Sequence, residues 1–181
     1  RRLLAEAGLP AGFDVPLELM PAKYRAMPEV ARAIAADLLR IGIRVTLRPF
    51  PMPEFLSRRE TGSGGLYLQG WMTTGWDAGL TYDQLLHTRT GGHGSANGTG
   101  YSDPTVDRII EEAAAEMSPD ARIARYSELA RRVQSDVPLV PLYLQDDLYA
   151  VARDLELEPT VTRAIRGAAM RSRAASTSRP R

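Results

Sequence analysis

Apolar positions in the opening stretch of this chain switch between a strand period and a helix period. Residues 15–20 alternate as a strand does, framed by Pro16 and Pro21. Val30, Ile34, Leu38 and Ile41 then fall on one helical face, with Arg32, Asp37 and Arg40 elsewhere, and Pro28 suits the first turn. Gly42 is the expected stop. Ile43, Val45 and Leu47 next alternate with Arg44, Thr46 and Arg48, the pattern of a half-buried strand. Strand, helix and strand with short connections predict a βαβ unit with parallel strands and a right-handed crossover. Ahead of it, residues 2–7 carry a short helical pattern that Gly8 can end in the left-handed conformation.

Further along, residues 53–60 read as a short helix and 62–65 as the turn into a strand at 66–69. Residues 88–100 hold five Gly with Ser, Asn and Thr among them, which predicts a long mobile loop. Asp103 and Pro104 open a helix as N-cap and first-turn proline, with Val106, Ile109, Ile110, Ala113 and Met117 facing inward. Ser118 and Pro119 open the next, with Ile123, Tyr126, Ala130 and Val133 inward. Residues 139–144 and 148–152 read as apolar strands joined by a hairpin-like turn at Gln145, Asp146 and Asp147. No internal repeat is present. The pattern predicts an α/β architecture, a mixed sheet flanked by helices.

At 181 residues the chain suits one domain with a core of ordinary size. Hydrophobic residues at 44% and charged residues at 25% are typical of a globular protein, and no apolar run nears the roughly 18 to 20 residues of a membrane helix. The net charge of +1 conceals an uneven distribution. Residues 159–181 carry six Arg and no acid, leaving 17 of the basic residues and all 22 acidic ones to residues 1–158. Such a tail suggests an anionic partner or nucleic acid, but it has no aromatics and is rich in Ala, Ser and Thr, so the expectation is a poorly ordered end. There is no cysteine, which excludes disulfides, thiol nucleophiles and thiolate metal sites. The chain starts at Arg1 without Met or a leader, and is expected to be the interior of a longer protein.

Catalytic chemistry finds little support. His87 and His93 are the two histidines, and no HExxH spacing joins them to a carboxylate. His87, at the end of an apolar helical turn, reads as a local cap or hydrogen-bonding group. No GxSxG elbow occurs, and Ser95 has no evident base nearby in sequence. Gly62, Ser63, Gly64 and Gly65 lack the Lys and Ser/Thr of a phosphate loop, and they precede a strand where such a loop follows one. Glu111–Glu112 and Asp146–Asp147 read as solvated surface. No catalytic residue, metal ligand or cofactor is assigned, and the chain is not expected to be an enzyme.

Residues 66–87 differ in kind. They begin as a strand and end as a short helix, and between these lies a loop holding both tryptophans, Trp71 and Trp76. Trp offers a flat apolar face and one N–H donor, while Thr73, Thr74 and Asp77 offer short polar contacts. Gly70 and Gly75 permit close approach of the backbone to a ligand, and Met72 completes the apolar wall. Residues 71–77 are the expected ligand-binding loop. The competing role for Asp77 is to cap the helix that follows.

Five landmarks in order carry a family resemblance: LLAEAGLPAGFDVPLEL, AIAADLLRIGIRVTLRP, LQGWMTTGWDAG followed by LLHT, GYSDPTVDRIIEEA, and ARYSELARRVQSDVPLVPLY. Together, over residues 3–158, the chain resembles the C-terminal lobe of the family 5 bacterial extracellular solute-binding proteins, receptors of ABC importers for peptides, nickel and oligosaccharides. The resemblance implies a periplasmic-binding-protein-like lobe of the type II class, here a fragment, with residues 159–181 as a tail or a return to the missing lobe. It implies a solute, peptide-like or oligosaccharide-like, held between lobes that close by hinge motion, and a permease as partner. It also implies a periplasmic or extracellular location, free or lipid-anchored, with no nucleic acid as partner. By position Trp71 matches the family's cleft Trp. Thr74 falls where peptide-binding members place an aspartate for the ligand's α-amino group, and a Thr lacks the charge a buried ammonium needs. A neutral or sugar-like solute stacking on Trp71 or Trp76 is the expectation that follows. The alternative function is an anion- or nucleic-acid-interacting domain acting through the basic tail.

Overall fold

Strand β1 (Asp14–Leu19) lies between two parallel neighbours, β2 (Arg44–Pro49) and β3 (Leu66–Leu68). A computed structural model describes residues 1–62, 64–73, 77–160 and 165–173. The chain divides into two units, Arg1–Leu139 and Val140–Arg181. The expected parallel pairing is present, with Leu17 opposite Leu47 on one side and Leu66 on the other.

Alternation along β1 sends Leu17 and Leu19 to one sheet face and Glu18 to the other. The apolar face is covered by α2 (Met27–Leu39), whose Met27 and Ala31 are buried with Leu17, Leu19 and Leu68. Val30, Ile34, Val45 and Leu47 pack around that cluster. Ile41, expected on the same helical stripe, lies past the last turn of α2 and is 36% exposed. The opposite face meets α3 (Met52–Thr61). There Phe55 is fully buried and meets Tyr67 edge-on, with ring centroids 6.1 Å apart. Glu18 is also fully buried, and Arg58 reaches it with Nε at 3.1 Å and a terminal nitrogen at 2.6 Å from the same carboxylate oxygen. The Arg58 guanidinium lies 4.4 Å from the Phe50 ring centroid, so an aromatic face backs the charge pair.

A second core joins α4 (Gly79–Leu86), α5 (Pro104–Ala115) and α6 (Pro119–Asp136) through Leu86, Val106, Ile109, Ile110 and Leu129. Asp103 caps α5 as expected, accepting from the amides of Thr105 and Val106, and Ser118 accepts from Ala121 at the start of α6. Two of the expected helix faces need correction. Met117 is 91% exposed because α5 has ended at Ala115. On α6 the buried position is Leu129, while Ala130 and Ile123 are exposed. Tyr126, Leu129 and Val133 have the same helical spacing as the stripe drawn through Ala130, and α5 takes the phase that buries the larger side chain.

Residues 88–100 form the irregular loop expected, and hydrogen bonds hold its middle against the end of α4. Asn97 is buried and its amide donates to the carbonyls of His87 and Tyr101 at 2.9 and 2.7 Å. The Ala96 and Gly94 amides bond back to the carbonyls of Gln84 and Asp83. Polar, glycine-rich composition marks irregular backbone, but hydrogen-bond satisfaction decides whether that backbone is held.

Unit Val140–Arg181 contains β4 (Leu155–Leu157) paired antiparallel with β5 (Met170–Ser172), so the Arg-rich end contributes a strand. The strands expected at 139–144 and 148–152 are not formed. Leu144 and Leu148 are 96% and 79% exposed. A strand exists through a partner for its backbone, and apolar composition alone does not supply one.

The phase of α6 is testable. Leu129→Ala should cost about 2–5 kcal/mol, while Ile123→Ala should stay within about 0.5 kcal/mol, by urea denaturation. For the charge pair, Arg58→Ala takes the guanidinium from a fully buried carboxylate, whereas Glu18→Gln leaves an arginine that already reaches water. The denaturation midpoint should fall further in Arg58→Ala than in Glu18→Gln; the reverse order would contradict this account.

Candidate ligand-binding loop

The loop after β3 is tied down where it begins. The Tyr24 hydroxyl donates to the Gly70 carbonyl at 2.9 Å, and a Cβ at position 70 would stand 2.6 Å from the Tyr24 ring. The close approach that glycine allows here is therefore to Tyr24. Trp71 follows with its indole N–H donating to the Thr81 hydroxyl of α4 at 3.3 Å, which orients the ring and leaves it 38% exposed. Beside it Met72 is 57% exposed, and Thr73 is exposed. Trp71 and Met72 present an apolar surface on a segment whose polar handle is already satisfied. Thr74, Gly75 and Trp76 lie outside the described residues.

At the far end Asp77 is fully engaged. One carboxylate oxygen accepts from the Gly79 amide at 2.6 Å and from the Tyr126 hydroxyl at 3.0 Å. The other lies 3.0 Å from a terminal nitrogen of Arg122. The Gly79 amide is the largest influence on its acidity; burial opposes it, and Tyr126 and Arg122 add to it, so the carboxyl is held below its ordinary 3.8. Asp77 thus opens α4 and ties it to α6. The residues that position the loop, Tyr24, Thr81, Arg122 and Tyr126, were missed by the sequence pattern. Tyr126 is 49 residues from Asp77, and nothing local to either signals the bond.

The two histidines also come together. His87, buried at the end of α4, stacks on His93 of the following loop with ring centroids 4.3 Å apart. His87 Nδ1 bonds its neighbour, the Thr88 carbonyl, at 2.7 Å, the local role expected of it, while Nε2 lies 3.1 Å from Glu111. Elsewhere in the Arg1–Leu139 unit an open concavity of about 300 Å³ is lined, among the described residues, by Arg59, Thr88, Arg89 and Tyr101.

Comparisons place the chain in a family. The model described as bacterial extracellular solute-binding proteins, family 5 Middle, matches residues 1–93. Di/tripeptide-binding protein 3 of Pseudomonas aeruginosa is 28% identical over 148 residues, covering 78% of this chain and 27% of that relative. Heme-binding protein A of Haemophilus influenzae is 23% identical over 145 residues, covering 78% of this chain and 26% of the relative. The dipeptide binding protein of a Pseudoalteromonas species, solved in complex with Met-Leu, superposes with a TM-score of 0.75 at 23% identity, over 95% of this chain and 34% of that one. The chain therefore has this type II periplasmic-binding-protein fold and spans about a quarter to a third of the relatives it matches.

Asp77 gives the anchoring a pH dependence of defined sign. Its lowered acidity means the carboxylate contributes stability fully above 3.8 and loses it as pH falls through the folded-state value. Asp77→Asn should therefore lower the urea midpoint at pH 7, and the gap to wild type should close on acidification well below pH 3.8. A gap that widened with acid would contradict the assignment.

Proposed function

The chain belongs to the bacterial extracellular solute-binding proteins of family 5, and from that membership we propose that it forms one wall of the solute site in an ABC-importer receptor. The observation that carries this reading is the exposed Trp71–Met72 surface on a loop bonded at Gly70, Trp71 and Asp77. An aromatic presented without a free donor suits stacking, and a Trp71 ring already oriented by its bond to Thr81 reduces the ordering cost of binding. The remainder of a longer protein would supply the facing wall, and closure between the two would bury the solute and present the closed form to a permease. Such a receptor works outside the cytoplasmic membrane, in a periplasm or at the cell surface.

The names of the relatives cover di/tripeptides and heme, so membership alone leaves the solute open. Position 74 narrows it. A threonine there offers no negative charge to a ligand ammonium, which favours a neutral or sugar-like solute, or a peptide-like one held by stacking.

Titration calorimetry of the full-length protein against oligosaccharides and free dipeptides tests both parts. We expect an oligosaccharide-like solute to bind with a change in Trp fluorescence, and Trp71→Ala to weaken it at least about tenfold, the order of one lost aromatic contact. Free dipeptides should bind poorly, and Thr74→Asp should not weaken them further. Unchanged affinity in Trp71→Ala would remove the loop from the site; tight binding of a dipeptide by wild type would overturn the ligand class.

A further inference from the structure

Both ring nitrogens of His87 face acceptors. The residue ends α4, with its side chain only 5% exposed. Nδ1 lies 2.7 Å from the Thr88 carbonyl oxygen, and Nε2 lies 3.1 Å from Oε1 of Glu111 on α5. A carbonyl oxygen has no proton to give, and Glu111, whose side chain is 57% exposed, is a carboxylate that also accepts. A neutral imidazole carries one N–H. It can satisfy one of these oxygens and turns a lone pair toward the other, where water scarcely reaches. An imidazolium donates to both.

The charges around the ring have the sign that a cation needs. Asp107 of α5 accepts from the Thr88 amide at 2.8 Å and lies 3.6 Å from His87 Nδ1. Asp83 of α4 adds a third negative charge and lies 2.5 Å from His93 Nδ1. From the loop, His93 stacks on His87 with the ring planes 18° apart, so it covers one face and leaves the in-plane nitrogens to Thr88 and Glu111. Arg89, also on the loop, donates to the carbonyls of Glu60 and Asn97. Burial favours the neutral ring and is the largest single influence on His87. The Thr88 carbonyl, Glu111, Asp107 and Asp83 together outweigh it and hold the pKa of the ring above its ordinary 6.5.

We propose that His87 is a buried imidazolium clasping residues 88–100 to α5, and that loss of its proton loosens this loop. The clasp sits at the root of the loop. The His87 carbonyl accepts from the buried Asn97 side chain, and a Cβ at Gly94 would stand 2.5 Å from the same oxygen. A shift of residue 87 is therefore felt at 94 and 97. Deprotonation leaves Thr88 or Glu111 facing a bare nitrogen lone pair, which the ring relieves by moving. Thr88, Arg89, Asn97 and Gly98 line the open concavity of the Arg1–Leu139 unit, so its lining changes with pH. The stabilisation is complete below 6.5 and is lost as pH rises through the folded-state value. Alkali, and not acid, opens the clasp.

In full-length protein with isotope-labelled histidine, ring-nitrogen chemical shifts distinguish an imidazolium from either neutral tautomer, and His87→Gln identifies the resonance. At pH 6.5 His87 is expected to be mostly protonated. In Glu111→Gln, a change at an exposed side chain, its titration should move to lower pH. Hydrogen exchange, read as protection relative to intrinsic rates, follows the loop. Segment 88–100 should lose protection at least about fivefold as His87 deprotonates, the order of one lost hydrogen bond. His87→Gln should show no such pH-dependent loss. Circular dichroism confirms that each variant is folded. A neutral His87 at pH 6.5 would sink the imidazolium assignment, and a titration unmoved in folded Glu111→Gln would remove that partner. Protection of 88–100 unchanged across the titration would overturn the clasp. None of these readouts involves solute, so the Trp71 reading stands or falls separately.

Discussion

A carboxylate buried in the middle of the central strand constrains how the first half of the chain assembles. Glu18 sits on the face of β1 opposite the apolar cluster, with no exposure to water. A charge removed from solvent must be met by another, and Arg58 of α3 meets it. An apolar residue at this point would tolerate α3 in several orientations. A carboxylate tolerates only those that bring the guanidinium to it. With α3 so oriented, Phe55 packs edge-on against Tyr67 of β3, and β3 leads two residues later to Gly70 and the Trp71 loop. The start of the loop is thus set by a charge pair on the other side of the sheet.

The far end of the loop depends on the helical core. Arg122 and Tyr126 can hold Asp77 only while α6 keeps its place on α5. Polar bonds reinforce that placement. Arg132 of α6 pairs with Asp103, the residue that caps α5, and the Tyr101 hydroxyl donates to Asp136 at 2.7 Å. Burial pushes the Asp103 carboxyl up, but Arg132 and the amides of Thr105 and Val106 outweigh it and hold it below its ordinary value. One carboxylate therefore caps one helix and ties it to the next. The same two helices and the loop before them bring the histidines to Glu111.

Much of the fold was legible because local patterns and tertiary demands agreed. The parallel βαβ unit follows from period changes and short connections, and β1 and β2 form the parallel pair within two residues of the expected bounds. Asp103–Pro104 and Ser118–Pro119 marked true helix starts, since capping is a local interaction. Agreement failed where a choice depended on a distant surface. Leu129 and Ala130 are both compatible with one stripe on α6, and only the opposing face of α5 separates them. The apolar runs at 139–152 look like strands but have no ladder partner among the described residues.

What the sequence alone determined is the set of elements up to α6, the family the chain belongs to, and the location of a Trp-bearing loop between a strand and a helix. These rest on interactions within a few residues of one another, or on an order of motifs that survives without coordinates. Only the tertiary structure decided how that loop is held and that two histidines and a glutamate share one cluster. Asp77 could cap a helix or face a ligand on sequence grounds, and its bonds to Gly79, Tyr126 and Arg122 assign it to anchoring. The reason is the same in each case: a side chain's role is set by the partners that folding brings within about 3 Å, and spacing along the chain does not encode that distance.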